Sequence, residues 1–287
     1  MRPALRVAAI GMAALTGLAG PAVSAAERGA PQRIMSLNVC TDLLLLELAP
    51  RARIASVTFL APEAAQALFP GATAGVALNH GSAEDIVNVK PDLILDSGLS
   101  NPMIKRIAKR MGAPVVEVKN ADSFADIRDV VRQVGAAVGE GARAEALIAQ
   151  MDAELADLAA HPPARRLRVV AWSGGSSVPG KGSLTDAIIT AAGAVNIAAQ
   201  PGASESTFGV EELLAAAPDA LLYGGATLGR PSLLNDEGQH RAVRQLYAGR
   251  RIAYNDITHT CGVPQSADSA RDLRRALGAL PARAGGR

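Results

Sequence analysis

Two segments of the chain repeat the same layout of residues. Glu84–Leu95 and Glu211–Leu222 each begin with a glutamate, continue for six residues to a Pro-Asp pair, and end in an apolar run. An acidic residue is favoured at a helix N-terminus, whereas proline stops a helix. Each segment therefore predicts a short helix followed by a buried strand. Their recurrence indicates a chain built from two related halves.

Short β-like runs alternate with stretches of helical period along the chain. The strand candidates are Arg33–Leu37, Ile54–Thr58, Leu93–Asp96, Val115–Val118 and Leu167–Trp172. Strands that alternate with helices are typical of parallel sheets covered by helices. The sequence therefore predicts an α/β fold.

Two longer helices are predicted near the middle of the chain, and the second of them joins the halves. Apolar residues recur every three or four positions from Phe124 to Val138, which is the period of an amphipathic helix. A second helix runs from about Ala142 to Ala160 and ends before Pro162. At about 1.5 Å per residue it reaches roughly 28 Å, the width of a small lobe. We interpret it as a stiff strut.

The N-terminal residues have the features of a secretory signal. Arg2 and Arg6 precede an uncharged stretch, and small residues stand before Glu27. We expect residues 1–26 to be removed on export; a membrane anchor is the alternative. The other predicted boundaries are an N-terminal α/β lobe at 33–140, a linker helix at 141–161 and a C-terminal α/β lobe at 165–281.

The charge balance excludes one class of partner. The chain has 29 basic and 27 acidic residues, and two of the basic residues, Arg2 and Arg6, lie in the predicted signal. The exported protein is then formally neutral, which argues against nucleic acid or an anionic membrane surface as a partner.

Motifs that span nearly the whole exported chain resemble the periplasmic binding proteins of cobalamin and iron-siderophore ABC importers. They are Arg33–Leu46 with Asn-Val-Cys-Thr-Asp, Gly81–Leu93, Ser183–Asn196 and Phe208–Asp219. The resemblance implies two α/β lobes joined by a long rigid helix, with the ligand in the cleft between them. It also implies a monomer that delivers a small-molecule metal chelate to an ABC permease in the inner membrane.

Ligand-binding residues of such folds lie on loops beyond the carboxyl ends of strands. Trp172 could offer a flat face to a macrocycle or catechol, or be a core aromatic, and Tyr223 holds the equivalent place in the repeat. Lys181 is a candidate partner for an anionic siderophore. The full set of candidate ligand-binding residues is Cys40, Thr41, His80, Trp172, Lys181, Tyr223, His259 and Cys261.

The two cysteines allow three interpretations. An even count in an exported chain suggests a disulfide, although a bond between Cys40 and Cys261 would tie the lobes together unless the last segment folds back onto the first lobe. Free thiols that face the cleft are the second interpretation. In the third, both thiols join His80 and His259 as soft ligands for cobalt, zinc or haem iron.

In the family that the chain resembles, one acidic residue on each lobe docks onto basic residues of the permease. The matching positions are Glu84 and Glu211, with Glu212 as the near alternative to the latter. Helix stability alone would also explain an acid at these places.

No catalytic motif stands against a binding role. The sequence has neither a Gly-x-Ser-x-Gly elbow nor a His-Glu-x-x-His pair. We therefore expect a solute-binding protein, not an enzyme, that carries a corrinoid or a ferric-siderophore-type chelate and has no cofactor beyond the metal of its ligand. The alternatives are an exported metal-dependent enzyme and a periplasmic binding or interaction protein without a transporter.

Overall fold

The computed structural model describes residues 29–98, 102–172, 178–200, 208–224 and 240–281. The predicted signal segment, 1–26, lies outside these ranges. Within them no helix is both long enough and apolar enough to cross a membrane.

Two parallel sheets form the two lobes of the described chain. The first has the strand order β3-β2-β1-β4-β5 and the second the order β7-β6-β8-β9. The first-lobe strands are β1 (Ile34–Ser36), β2 (Ile54–Thr58), β3 (Ala77–Asn79), β4 (Leu93–Asp96) and β5 (Val115–Glu117). The second-lobe strands are β6 (Arg168–Ala171), β7 (Val195–Asn196), β8 (Ala220–Gly224) and β9 (Arg251–Tyr254).

Helices cover these sheets and connect successive strands, as parallel pairing requires. In the first lobe they are α1 (Val39–Leu48), α2 (Ala61–Gln66), α3 (Ala83–Val89), α4 (Pro102–Arg110) and α5 (Phe124–Val138). Next come α6 (Gly141–Ala160), α7 (Leu184–Ala191), α8 (Val210–Ala216), α9 (Arg241–Leu246), α10 (Asp256–Thr260) and α11 (Ser266–Gly278). The predicted strands and both long helices are confirmed to within a residue or two at their ends.

The repeated sequence segments occupy equivalent places in the two sheets. Helices α3 and α8 each end at a residue with left-handed backbone, Lys90 and Ala217, just before the Pro-Asp pair. The aspartates that follow accept backbone N–H bonds at the start of the neighbouring strand, from Arg33 to Asp92 at 2.8 Å and from Arg168 to Asp219 at 2.8 Å. The same helix–Pro-Asp–strand connection therefore occurs in both lobes and joins a helix to a central strand in each.

Helix α6 connects the lobes and packs closely on α5. A Cβ added at Gly135 of α5 would lie 2.5 Å from the Cβ of Ala144 of α6, so only glycine permits this approach. Buried residues Ile148, Met151 and Leu158 form the inner face of α6. The helix thus shares its core with both sheets.

The chain after α10 returns to the first lobe. Cys261 and Val263 belong to the same continuous core as α1 and α5, and a Cβ on Gly262 would lie 3.1 Å from the carbonyl oxygen of Ala121. Gln265 Nε2 donates to Glu47 Oε1 at 2.6 Å. The end of the second lobe is therefore anchored on the first, and α11 then packs back on α6 and α7.

Candidate ligand-binding cleft

A cavity of about 550 Å³ lies between the two lobes. One wall comes from the start of α1 and from α2 in the first lobe, and the other from the end of β9 and from α10 in the second. Its lining residues are Val39, Leu60, Glu63, Ala64, Ala67, Tyr254, Asn255, Asp256, Ile257 and Thr260. This volume is within the usual range for small-molecule sites.

Helix caps and strand ends position this cavity. Asn38 caps α1 by accepting from Cys40 N at 2.9 Å, and Asn255 caps α10 by accepting from Ile257 N at 3.1 Å. Leu60 closely follows β2 and is 48% exposed. Because parallel strands bring their carboxyl ends to one edge of a sheet, these connections meet where ligands bind in open α/β folds.

Tyr254 brings an aromatic ring to the cavity wall and stacks on His259, with ring centroids 4.0 Å apart. Burial, with a smaller contribution from the Asp256 carboxylate, raises the pKa of Tyr254 to about 12. Burial also lowers the pKa of His259 to about 4. Nδ1 of this imidazole is 3.2 Å from the Thr185 hydroxyl, whereas Nε2 has no hydrogen-bond partner among the described residues.

The sequence reasoning missed Tyr254. His259 was predicted on a cleft loop, and its ring lies directly behind the tyrosine instead of lining the cavity. The end of β9 carries the signal that could have revealed Tyr254, because it is an aromatic residue at the carboxyl end of a strand.

Cys40 and Cys261 form a disulfide, with their Cα atoms 5.0 Å apart. The free-thiol and metal-ligand interpretations are therefore wrong for both residues, because a disulfide sulfur is not the thiolate that binds a metal. No group of three or more His, Cys, Asp or Glu side chains in the described ranges is arranged to hold a metal ion. The bond crosses from one lobe to the other because the last segment folds back.

The predicted residues Trp172 and Tyr223 lie in the core of the second lobe. Trp172 is 1% exposed and its Nε1 donates to the Phe208 carbonyl oxygen at 2.7 Å. Tyr223 is 2% exposed, and the Arg251 guanidinium carbon lies 4.1 Å from its ring centroid. In this structure neither ring offers a face to the cavity, which corrects the flat-surface interpretation and agrees with the core alternative for Trp172.

Thr41 is also buried, and its hydroxyl lies 2.7 Å from that of Ser36 and donates to the Asn38 carbonyl oxygen at 2.9 Å. Its observed role is to hold the start of α1 against β1. Together with Cys40, it also lines a second, smaller cavity.

His80 and Lys181 are exposed and do not line the large cavity. The His80 ring stacks on Phe59, with centroids 4.9 Å apart, and Phe59 is itself 52% exposed. Phe59 directly precedes the cavity-lining Leu60 in the chain. Lys181 stands just before helix α7.

Two buried carboxylates lie on α1 behind the cavity. Burial raises the pKa of Asp42 to about 6, although hydrogen bonds from the hydroxyl and backbone N–H of Thr58 oppose this shift. Burial also raises the pKa of Glu47, while the bond from Gln265 opposes it. Both carboxyls serve the packing of α1 on its neighbours, since neither lines the cavity.

The predicted docking residues occupy matching places. Glu84 is the second residue of α3 and Glu211 the second residue of α8, and both are exposed. The acid that follows each of them caps its helix, since Asp85 accepts from Ser82 N at 2.9 Å and Glu212 accepts from Gly209 N at 3.0 Å. Ser82 and Asp85 form a capping box at the start of α3.

Two lobes of parallel sheet, a connecting helix and a cleft between them define a solute-binding protein. The model of the periplasmic binding protein family matches residues 67–250, and the chain belongs to this family. It is therefore a binding protein and not an enzyme. No curated protein matches it closely enough to count as a relative.

Several solved structures share the fold. The periplasmic heme-binding protein RhuT from Roseiflexus sp. RS-1, in its apo form, is 26% identical; the match covers 86% of this chain and 98% of that chain, with a TM-score of 0.69. The periplasmic heme-binding protein HutB of Vibrio cholerae is 18% identical, with 86% and 98% covered and a TM-score of 0.70. The periplasmic vitamin B12 binding protein BtuF of Vibrio cholerae is 17% identical, with 87% and 97% covered and a TM-score of 0.62.

Proposed function

We propose that this protein captures a corrinoid in the cleft between its lobes and delivers it to an ABC permease in the inner membrane. The observation that carries the proposal is the composition of the 550 Å³ cavity. Its walls are largely aliphatic, and the polar groups among them are mostly oxygen atoms that accept hydrogen bonds.

A corrinoid suits this chemistry. Its macrocycle is large and apolar, and the amide groups on its rim donate N–H bonds. Val39, Leu60 and Ile257 offer apolar contact to the macrocycle. The carboxylates of Glu63 and Asp256 are acceptors for the amides, and hydrogen bonds to charged acceptors are stronger than neutral ones.

Haem is the second candidate, because Tyr254 brings a phenol to the cavity and tyrosine can hold haem iron. Four of the similar structures are of heme-binding proteins. Iron ligation requires the phenolate, so a bound haem iron would have to displace the proton of a phenol whose pKa burial has raised. The support for the corrinoid is the largely aliphatic lining with its hydrogen-bond acceptors.

An anionic ferric siderophore is the least favoured chelate. The described residues that line the large cavity include two carboxylates and no lysine or arginine. Bringing a negatively charged siderophore close to these carboxylates carries an electrostatic penalty. Lys181, the predicted partner of such a ligand, lies outside this lining.

Titration by calorimetry and absorbance against cobalamin, cobinamide, haem and ferric siderophores tests the proposal. Ala67→Trp should lower corrinoid affinity at least tenfold, because exposed Ala67 lines the cavity and an indole there would fill it. Ala125→Trp places the same side chain at an exposed position on α5, away from the cavity, and should bind normally. Corrinoid binding that survives Ala67→Trp would place the ligand elsewhere, and binding of haem alone would select the second candidate.

Delivery to a permease rests on Glu84 and Glu211. Changing both to lysine should leave ligand affinity unchanged and abolish ligand-dependent stimulation of the permease ATPase in reconstituted membranes. The double variant Asp122→Lys, Asp129→Lys changes two other exposed acids and is the charge-matched control. Normal stimulation by the double variant would exclude these residues from docking.

A further inference from the structure

The inter-lobe disulfide lies directly beside the lining of the large cavity. Thr260, the last residue of α10, lines the second-lobe wall and immediately precedes Cys261. On the facing wall Val39, the first residue of α1, lines the cavity and immediately precedes Cys40. The covalent bond therefore joins the two walls at positions adjacent to residues that face the cavity.

The segment that follows α10 is packed into the first lobe. Cys261 and Val263 are fully buried in the core that contains residues of α1 and α5. Farther along, Gln265 Nε2 donates to Glu47 Oε1 of α1 at 2.6 Å. Packing, a hydrogen bond and the disulfide thus fix the end of α10 to the first lobe.

Hydrogen bonds hold the same helix on α7 and α11. Nδ1 of His259 in α10 lies 3.2 Å from the Thr185 hydroxyl of α7. The Thr258 hydroxyl lies 2.6 Å from that of Ser269, and the Ser266 hydroxyl donates to the Thr258 carbonyl oxygen at 2.9 Å. Helix α10 is therefore attached on both sides of the cleft. We call α10 together with the Cys40–Cys261 bond the inter-lobe bridge.

The inter-lobe bridge restricts how the lobes can move. Within the described ranges the lobes are joined covalently at two places, by helix α6 and by the disulfide. A single connection lets two rigid bodies rotate about several axes, whereas two connections leave rotation only about the line that passes through both. Lobe closure in other two-lobed proteins is absorbed by a few hinge residues. Here the second connection removes the motions that would separate the start of α1 from α10.

We propose that the inter-lobe bridge holds the two walls of the large cavity at a preset separation, so that the ligand enters a preformed site instead of one assembled by closure of the lobes. A preformed site increases affinity, because the arrangement that binds the ligand is already populated before the ligand arrives. The statement about the ligand rests on the proposed function. The statement about lobe motion does not.

Distances between spin labels test the restricted motion without any ligand. Labels attached through thioether bonds at Gln66→Cys in α2 and Arg244→Cys in α9, both exposed, report the separation of the lobes by pulsed electron paramagnetic resonance. The pair Gln66→Cys, Lys109→Cys lies within the first lobe and is the control. When Cys40→Ser and Cys261→Ser are added, the inter-lobe distance distribution should broaden and the control distribution should not.

Reduction of the labelled protein that retains both native cysteines gives a second comparison, which does not depend on how well the serine variant folds. Dithiothreitol leaves thioether-linked labels in place and should broaden the inter-lobe distribution in the same way. Inter-lobe distributions that are equal with and without the bond would overturn the inference.

Affinity tests the preformed site. The Cys40→Ser, Cys261→Ser variant should bind cobalamin, or whichever of cobinamide, haem and ferric siderophores the wild type binds, about tenfold more weakly, as expected if about one molecule in ten keeps the competent arrangement. Ile104→Ala removes a buried side chain of α4 from a core cluster separate from that of Cys261. This variant is the control for lost stability and should bind normally at temperatures where both variants are folded.

The outcomes separate the two proposals. Unchanged affinity in the double-serine variant, or an equal loss in Ile104→Ala, would overturn the preformed site while leaving the proposed function intact. A wild type that binds none of the four ligands would overturn the proposed function, whereas the label distances would still decide whether the inter-lobe bridge restricts the lobes.

Discussion

The disulfide between the lobes should make a large contribution to stability. Cys40 and Cys261 are 221 residues apart in sequence, so the bond closes most of the described chain into one loop. The chain-entropy relation gives about 5 kcal/mol for a loop of this length, near the upper end of measured values. For a protein of this size, such a loss should lower Tm by about 10–20 °C.

Calorimetric scans of the wild type and of the Cys40→Ser, Cys261→Ser double variant measure this effect. Dithiothreitol should lower the Tm of the wild type toward that of the variant and leave the variant unchanged, which separates loss of the bond from the effect of the serines. Urea unfolding should show the same ranking. A variant Tm within about 2 °C of the wild type would refute the reasoning, because the unfolded chain would then gain little freedom when the bond is absent.

Gly262→Ala should destabilise the protein by about 1–3 kcal/mol in urea unfolding, because the added Cβ would collide with the side chain of Ala121. Gly278→Ala in α11 is the control and should be neutral or stabilising, because its Cβ meets nothing within 4 Å. Equal effects of the two substitutions would contradict this packing. The buried imidazole of His259 has a lowered pKa of about 4, so its contribution to stability is complete above about pH 6.5 and is lost as the pH falls toward 4. His259→Gln should flatten that acid limb in urea titrations at pH 7, 5 and 4, and an unchanged limb would show that another group causes it. Asp42 has the opposite effect on the pH dependence of stability. Because its pKa is raised in the folded state, its carboxyl is protonated there but ionised in the unfolded state between about pH 4 and 6. Its contribution to stability therefore falls as the pH rises through that window. Asp42→Asn should therefore be least stable relative to the wild type at pH 4, and the difference in free energy of unfolding should shrink as the pH rises to 6. A difference that does not depend on pH would argue against the raised pKa of Asp42.

Local sequence patterns were sufficient to predict the secondary-structure elements and the class of protein. The period of Phe124–Val138 predicts α5 with its observed ends, since apolar spacing and a following glycine act within a few residues. The repeated Pro-Asp segments predict the two related lobes for the same reason. These features depend on neighbours in sequence, which can be read without knowing the fold.

Residues at strand ends were harder to interpret. Trp172 and Tyr223 follow or end strands of the second sheet, and sequence position alone does not say whether such a side chain points into the core or the cleft. Burial decides the question here, because Val243 and Phe208 pack in the same cluster and enclose both rings. Tyr254, at the end of the edge strand β9, is the aromatic residue that reaches the cavity.

The sequence by itself determined an α/β chain with two related halves, a long connecting helix and a solute-binding family. Only the tertiary structure decided that Cys40 and Cys261 are bonded, that the segment after α10 anchors on the first lobe, and that a largely aliphatic cavity lies between the lobes. Such features depend on contacts between residues that are far apart in the chain. No local pattern specifies them, since they arise from how the two lobes pack around a common core.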